Sequence, residues 1–261
     1  MLNKIPKTGL LILILFIFSC NSSDDATEEQ VINCIPGALQ NGIIAFYPFN
    51  NGSINDFSGN GYNLTNTSTA SSGTDRDGNL DCAFNFTAGN NEFLEYANPA
   101  FLDNFQNAPF SISLWYNPTG TDWSFEVPMK RSYVSDCQNH TGQWAIILFD
   151  CRRAVFEVNQ NYIWSDYYNT DGCIETTLEL SNTWQHLTVT YDGATGLELY
   201  RNGVSTTDII AGTSNSCGMP PLGDLILGED FNGLLDDIII YDHVLSQSEI
   251  TTLYNLPGCC L

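Results

Sequence analysis

The chain has 261 residues, and its 30 acidic against 8 basic side chains give a formal net charge of −22 at pH 7. Nucleic-acid binding is excluded, because it depends on basic side chains that neutralise phosphates. The same charge disfavours acidic glycans unless cations bridge them, so neutral ligands or metal-assisted contacts are favoured.

A short apolar run behind a basic start opens the chain. Lys4 and Lys7 precede residues 10–18, a run too short for a membrane span, which needs about 20 apolar residues. The pattern is typical of a signal peptide, and Cys20 stands where a bacterial lipoprotein precursor is cut. We therefore predict a lipoprotein signal peptide at 1–19 with lipid on Cys20. An ordinary secretory signal cut nearby is the alternative.

Residues 20–33 are predicted to form a lipidated acidic tether. They have no hydrophobic periodicity, which is typical of a solvated segment. The Ser-Asp-Asp stretch after the cysteine resembles the export tag of surface lipoproteins in Bacteroidetes. This resemblance implies an outer-membrane lipoprotein that is exposed at the cell surface and touches the membrane only through its lipid anchor. Display into the periplasm is the alternative.

Short strands separated by turn residues dominate the rest of the chain. Phe110, Ile112, Leu114 and Tyr116 alternate with smaller or more polar residues, which is the period of a strand. The Asn-Gly pair after Arg201 supplies the positive φ angles of a tight hairpin turn. The pattern predicts an all-β fold, a two-sheet antiparallel sandwich, with strands or hairpins near residues 43–49, 82–86, 93–96, 110–116, 143–149, 154–158, 184–191, 197–204, 224–227 and 234–241.

One short helix is predicted near the carboxyl end, over about residues 247–254. Ser246 stands three residues before Glu249, which forms a capping box, and Leu245 with Ile250 forms a hydrophobic staple. Pro and Gly follow at 257–258 and stop the helix.

The cysteine count indicates an oxidising compartment. Nine cysteines are present, and eight remain once Cys20 takes lipid. An even number outside the cytoplasm predicts four disulfides, but spacing alone does not give their connectivity. A zinc site is disfavoured, because the chain has no Cys-x-x-Cys and three scattered histidines. Cys137 with Cys151 would close a local loop. The predicted disulfide cysteines are Cys34, Cys82, Cys137, Cys151, Cys173, Cys217, Cys259 and Cys260.

Five motifs in this order resemble the laminin-G-like family of the concanavalin A-like lectin and glucanase superfamily. They are an opening strand at 42–49 with the turn Asp-Phe-Ser-Gly-Asn-Gly at 56–61, a strand at 110–115, a Trp-x-His strand at 184–193, a hairpin at 199–203 and an ending at 231–250. The resemblance implies a jelly-roll of two curved sheets over residues 34–261, one domain. It also places the first and last strands side by side, so that Cys34 would pair with Cys259 or Cys260. The chain departs from the family in its cysteines and over 121–172.

A calcium site is predicted at the turn after the first strand. Asp56, Ser58 and Asn60 place oxygen side chains at alternate positions before a glycine, which is the opening rhythm of a calcium loop. The family resemblance implies a further ligand from the acidic pair of the last long strand. Adjacent strand residues point to opposite faces, so only Asp236 is expected to bind, and Ca²⁺ would be structural. The alternative is an Asx-turn with no metal.

A second, poorer calcium candidate lies at residues 75–81, where acidic residues alternate without the glycine.

Aromatic residues of the unassigned region, 121–172, are candidates for stacking on sugar rings, with nearby Asn and Asp side chains binding the sugar hydroxyls. The predicted ligand-binding residues are Trp123, Tyr162, Trp164 and Tyr168. The alternative is that these large rings fill the core.

Catalysis has little support in the sequence. Retaining glycosidases need two carboxyl groups about 5 to 5.5 Å apart. No strand carries such a pattern, and the side chains of Asp236 and its neighbour are expected to diverge. No Ser-His-Asp set has specific support either. We therefore predict a non-enzyme, a surface-tethered carbohydrate-binding or adhesion module for a neutral glycan. The alternatives are a protein-interaction scaffold domain of a surface complex and, less favoured, a divergent glycan hydrolase or lyase.

Overall fold

A computed structural model describes residues 34–119, 125–133, 142–149, 153–158, 162–165, 180–210 and 222–259. Within these ranges the strands are β1 Ile43–Tyr47, β2 Ser71–Gly73, β3 Ala83–Phe86, β4 Leu94–Tyr96, β5 Pro109–Pro118, β6 Glu126–Tyr133, β7 Trp144–Phe149, β8 Arg153–Val158, β9 Tyr162–Ser165, β10 Gln185–Asp192, β11 Leu197–Arg201, β12 Val204–Ser205, β13 Asp208–Ile210, β14 Leu222–Leu227 and β15 Gly233–Tyr241. The helix α1 is Gln247–Tyr254, and short 3-10 helices lie at Gly37–Leu39, Asn50–Gly52, Ala88–Asn90 and Ala100–Gln106.

The described strands form two antiparallel sheets, which confirms the predicted fold class. The eight-stranded sheet has the order β12-β11-β10-β5-β15-β3-β2, with β1 also paired to β15. The seven-stranded sheet has the order β13-β9-β8-β7-β6-β14-β4. The strands β2, β6, β9 and β13 were not among those predicted from the sequence.

The strand β15 organises the eight-stranded sheet, because it has two partners along one of its edges. Its first residues pair with β3 and its last residues pair with β1, while β5 runs along the other edge. The register with β5 shifts between Asp236 and Ile239, and Asp237 has a φ of 42°. This is a β-bulge, which locally disrupts the alternation of side chains between the two faces.

The main hydrophobic core lies between the sheets. Alternate residues of β5, β7, β8 and β10 supply completely buried side chains, among them Ile112, Leu114, Ile146, Phe156 and Val189. Burial of this apolar area is the main stabilising contribution to a sandwich of this kind.

The helix α1 covers a second apolar cluster beside the eight-stranded sheet, which includes Phe46, Ile239, Ile250 and Leu253. The predicted capping box is present: Ser246 Oγ accepts a hydrogen bond from the Glu249 backbone, and the Glu249 side chain accepts one from Ser246 N. Two of the helix's eight residues are buried, which fixes α1 on the sandwich. No helix in the described ranges has both the length and the hydropathy to span a bilayer.

The two ends of the described chain are covalently joined. Cys34 is bonded to Cys259, with 5.4 Å between their Cα atoms and a sequence separation of 225 residues. This is one of the two pairings that the family resemblance implied. Cys82 is also disulfide-bonded. The other predicted disulfide cysteines, Cys137, Cys151, Cys173, Cys217 and Cys260, lie outside the described residues, as do the predicted lipidation site Cys20, the signal peptide and the tether.

Candidate functional site

The turn predicted to bind calcium is organised around the buried carboxylate of Asp56. Its Oδ1 accepts hydrogen bonds from Phe46 N at 2.9 Å and Ser58 N at 2.8 Å. Its Oδ2 accepts from Ser58 Oγ at 2.8 Å and Tyr62 N at 3.0 Å. An ionised carboxylate has about four lone-pair sites, so these four donors account for its acceptor capacity. The geometry is the Asx-turn that was the alternative to a metal site.

The other predicted ligands of this turn also have partners from the chain. The Nδ2 of Asn60 donates to the carbonyls of Ile43 and Ile44, at 3.3 and 2.9 Å. Asp236 is not among the contacts of the turn, since it pairs with an arginine elsewhere. The structure thus brings together three of the four predicted ligands, and Asp56 would have to release hydrogen bonds to bind a cation. As folded, the turn satisfies the Asp56 carboxylate with donors from the chain, and no role is derived from a calcium ion.

The acidic pair of β15 binds Arg76. The Nη1 of Arg76 lies 2.8 Å from Asp236 Oδ2, and its Nη2 lies 2.7 Å from Asp237 Oδ2. The guanidinium carbon is also 4.3 Å from the ring centroid of Trp115, which is a cation–π contact. The expectation that the two carboxylates diverge was therefore wrong. The bulge at Asp237 turns both carboxylates toward one guanidinium.

Burial determines the electrostatics of this cluster. Desolvation raises the pKa of Asp236 well above its usual range, and the neighbouring Asp237 raises it further, while Arg76 opposes both effects. Burial likewise raises the pKa of Asp237, again opposed by Arg76. The ion pairs with Arg76 thus offset part of the free-energy cost of burying two carboxylates.

The loop that carries Arg76 is the second predicted calcium candidate. Asp75 Oδ1 accepts from Asp77 N and Asn79 N, at 2.9 and 2.8 Å, and Asp75 Oδ2 accepts from Asn79 Nδ2 at 2.8 Å. Asp77 Oδ2 accepts from Gly258 N at 2.7 Å. These bonds close the loop and fix it against the carboxyl-terminal segment. In the described part of the chain, no three His, Cys, Asp or Glu side chains are grouped as a metal site.

A serine and a histidine meet beneath α1, but they do not form a catalytic set. The Nε2 of His186 lies 2.8 Å from Ser113 Oγ, and both residues are buried. The His186 Nδ1 is buried and has no hydrogen-bond partner, so no acid orients the ring. Desolvation, with a further contribution from Arg76, lowers the pKa of His186 to about 3. The ring is therefore neutral and closed off beside Trp115 and Tyr254.

Two of the predicted sugar-stacking residues, Tyr162 and Trp164, lie on strand β9. The other two, Trp123 and Tyr168, lie outside the described residues. The backbone of β9 places Tyr162 opposite Val158 and Trp164 opposite Phe156, and these two partners of β8 are core residues.

Two features were missed by the sequence reasoning. The first is Arg76, whose contact with Asp236 spans 160 residues. The second is a group of partly exposed aromatic rings, Tyr62, Tyr96 and Phe101, that pack together at the margin of the core. Tyr62 directly follows the predicted calcium turn, and this position next to a candidate site was the sequence feature that could have indicated the aromatic group.

The fold and these contacts define an antiparallel two-sheet β-sandwich whose acidic pair on β15 binds an arginine. Residues 88–251 match the laminin G type 3 family, described as the Concanavalin A-like lectin/glucanases superfamily. The chain belongs to this family. A comparison with curated proteins gave no match.

Solved structures with the same fold include receptor-binding domains of bacterial toxins. The binding domain of Paraclostridial Mosquitocidal Protein 1 has a TM-score of 0.62 and 19% identity over 83% of this chain. A structure of botulinum neurotoxin type C, whose cell entry depends on two ganglioside molecules, has a TM-score of 0.60 and 16% identity over 84% of this chain. The binding domain of botulinum neurotoxin DC in complex with rat synaptotagmin II has a TM-score of 0.59 and 16% identity over 83% of this chain.

This chain spans 52% of each of these toxin chains. At such low identities the likeness shows the fold alone, and the gangliosides and synaptotagmin are partners of those proteins.

Proposed function

We propose that this chain is a non-catalytic carbohydrate-binding or adhesion module. One observation carries the proposal: in the described residues, the acidic pair on β15 and the Asp-rich turns at 56 and 75 are bound by donors from the chain itself. A glycosidase needs a free acid and a free nucleophile facing its substrate, whereas these carboxylates stabilise the fold. A lectin-type fold whose acidic side chains are already bound by donors of the same chain is consistent with a binding surface.

The favoured ligand is a neutral glycan. The formal charge of −22 repels sialic acids, uronates and sulfates, and basic residues to offset it are few. This distinguishes the proposed ligand class from a sialylated ligand such as the one in the SialylT complex of the botulinum neurotoxin DC binding domain.

A glycan panel with neutral, sialylated and uronate-containing members tests the proposal. The mature chain, with its disulfides intact, is expected to bind one or more neutral members and to release no reducing sugar from a polysaccharide panel. Release of reducing ends would support the hydrolase alternative and contradict the proposal. Preferred binding of the sialylated members would contradict the neutral class.

A protein-interaction domain is the second candidate. It is favoured by the synaptotagmin complex of a toxin domain that has the same fold. An empty glycan panel together with one stoichiometric partner in a cross-linking experiment would support it over the glycan module.

The lipid anchor on Cys20 and outward display on the outer membrane are part of the proposal. Protease treatment of intact cells is expected to remove the protein, and the variant Cys20→Ser is expected to leave the membrane fraction. Survival of the protein until the outer membrane is opened would contradict outward display and would leave the anchor in place.

A structural calcium ion remains a prediction. A ligand that binds only the native form raises the melting temperature, so calcium and chelator titrations of the melting temperature test it. A calcium-dependent rise that is lost in Asp56→Asn would support the turn as the site. An equal melting temperature under both conditions would contradict it.

A further inference from the structure

Three aromatic rings from three separate segments meet at the margin of the sandwich. Tyr62 and Phe101 are stacked, with 3.8 Å between ring centroids and 12° between planes. Tyr96 meets both edge-on, at 5.8 Å from Tyr62 and 5.4 Å from Phe101. Each ring packs on the core from one side and remains partly exposed. We refer to these three residues as the aromatic triad.

The backbone of each triad residue is held in place. Tyr62 N donates to Asp56 Oδ2 at 3.0 Å, and Tyr62 O accepts from Tyr47 Oη at 2.8 Å. Tyr96 lies on β4 and pairs with β14. Phe101 lies in a 3-10 helix that is anchored by its buried neighbours at 102 and 105. A rigid surface loses little conformational freedom when a ligand binds, and this favours affinity.

The surroundings of the triad are rich in neutral hydrogen-bonding groups. An open depression of about 290 Å³ lies at the turn that immediately precedes Tyr62, and it is lined by Asn55, Asp56, Phe57, Gly59, Gly61 and Asn63. Its size is close to the lower end of the range of about 300 to 1,000 Å³ for ligand pockets. Exposed amides also stand at residues 98 and 104, two and three positions along the chain from Tyr96 and Phe101.

Two of the nearby acidic side chains are already engaged. The carboxylate of Asp56 accepts the four hydrogen bonds described above, and Asp103 is paired with Arg131 at 2.7 Å. The hydroxyls of Tyr62 and Tyr96 have no hydrogen-bond partner in the described residues and are available to a ligand. An apolar ring surface next to amides and hydroxyls matches a pyranose, which has an apolar face and a polar rim.

We propose that the aromatic triad is the contact surface for a neutral pyranose, with the hydroxyls of Tyr62 and Tyr96 binding hydroxyls of the sugar. This assignment rests on the glycan-binding function proposed above and gives it a location. A basic surface would fit an acidic ligand, whereas the triad combines partly exposed rings with uncharged hydroxyls.

Binding is tested with Phe101→Ala and Tyr96→Ala against the neutral glycan found in the panel. Each is expected to weaken binding about tenfold, because loss of one ring contact is worth up to about that factor. Tyr62→Phe keeps the ring and is expected to weaken binding only a few-fold. Tyr254→Ala is the matched control, since Tyr254 is a partly exposed aromatic residue on α1 that stacks on Trp115, and it is expected to bind like the wild type.

A second measurement uses only the wild-type protein, in case an alanine variant does not fold. In hydroxyl-radical footprinting, saturating glycan is expected to reduce oxidation of Tyr62 and Tyr96 and to leave Tyr254 unchanged. Glycan binding by the wild type without this protection, or with equal affinity in the triad variants, overturns the triad and leaves the glycan-binding function intact. Absence of any glycan binding overturns both. A protein partner that is lost in the triad variants would make the surface a protein interface and overturn the sugar assignment.

Discussion

Replacement of Arg76 by methionine tests whether the acidic pair of β15 serves stability. The exposed fractions of the side chains are 7% for Arg76, 1% for Asp236 and 9% for Asp237. Removing one partner from a buried ion pair leaves an uncompensated charge and costs about 3 to 5 kcal/mol. Arg76→Met keeps much of the apolar stem over Trp115, so the expected loss in the free energy of unfolding at neutral pH is about 3 to 5 kcal/mol, chiefly electrostatic.

The pH dependence of this loss has a defined sign. A carboxyl group whose folded-state pKa is raised stabilises the fold below its unfolded pKa, and this contribution is lost as the pH rises through the folded pKa. Burial raises the pKa of Asp236 and Asp237, and Arg76 opposes this. In Arg76→Met the pKa of the pair rises further, with Asp75 adding to the effect. The loss in free energy of unfolding of the variant, relative to the wild type, is therefore expected to shrink as the pH falls from about 7.5 to about 5.

Protonation of the neighbouring His186 changes the stability loss of Arg76→Met with pH in the same direction. The pKa of His186 is lowered to about 3 by desolvation and by Arg76. A group with a depressed folded-state pKa stabilises the fold above its unfolded pKa of about 6.5, and this contribution is lost as the pH falls toward the folded value. Without Arg76 the pKa of His186 is lowered less, so the variant loses less stability in acid than the wild type.

Urea unfolding followed by tryptophan fluorescence, with disulfides intact, measures these effects at each pH. Lys130→Met is the matched control, because its partner Glu229 is 39% exposed, and it is expected to cost no more than about 1 kcal/mol. The triple variant Arg76→Met, Asp236→Asn, Asp237→Asn is expected to recover part of the loss. A deficit below about 1 kcal/mol for Arg76→Met, or one that does not change with pH, would refute the reasoning.

Three further perturbations bear on the fold. Replacing Cys34 and Cys259 together by serine is expected to lower the free energy of unfolding by up to about 5 kcal/mol in the chain-entropy model, and an unchanged urea midpoint would contradict this. Ser246→Ala removes the cap of α1 and is expected to cost about 1 kcal/mol, whereas Thr252→Ala, at an exposed position of the same helix, is expected to be neutral within about 0.5 kcal/mol. Gly228→Ala is expected to lower the melting temperature, because its φ is +83° and an added Cβ would lie 2.1 Å from an aromatic ring carbon; a melting temperature equal to that of the wild type would show that the site relaxes freely.

Local patterns predicted the elements whose determinants are local. The helix predicted over residues 247–254 is Gln247–Tyr254 in the structure, because its capping box and its stop signals lie within a few residues of its ends. The strand at 110–116 was found as Pro109–Pro118, since its alternation matches burial between the two sheets. The strand β6 was missed because Pro128 and the adjacent Lys130 and Arg131 interrupt its apolar pattern.

The candidate site was less predictable, because its determinants are distant in sequence. Asp56 was recognised as a turn residue, but the sequence could not distinguish four backbone and hydroxyl donors from a cation. The bulge at Asp237 lies where β15 changes partners from β3 to β1, and no local motif encodes this change. The aromatic triad joins residues from a turn, a strand and a 3-10 helix, so its rings have no common period.

The bond between Cys34 and Cys259 also has a mechanical consequence. A pull applied to the chain ahead of Cys34 reaches this bridge before it reaches β1, and the bridge transmits it to Cys259, whose backbone N–H donates to Asp237 at 3.2 Å. The load is thereby shared between both ends of the sandwich, and β1 is not peeled from β15 one hydrogen bond at a time. Reduction of the bridge would direct the same force into the packing of Ile35 and Leu39 and then into the short β1–β15 ladder.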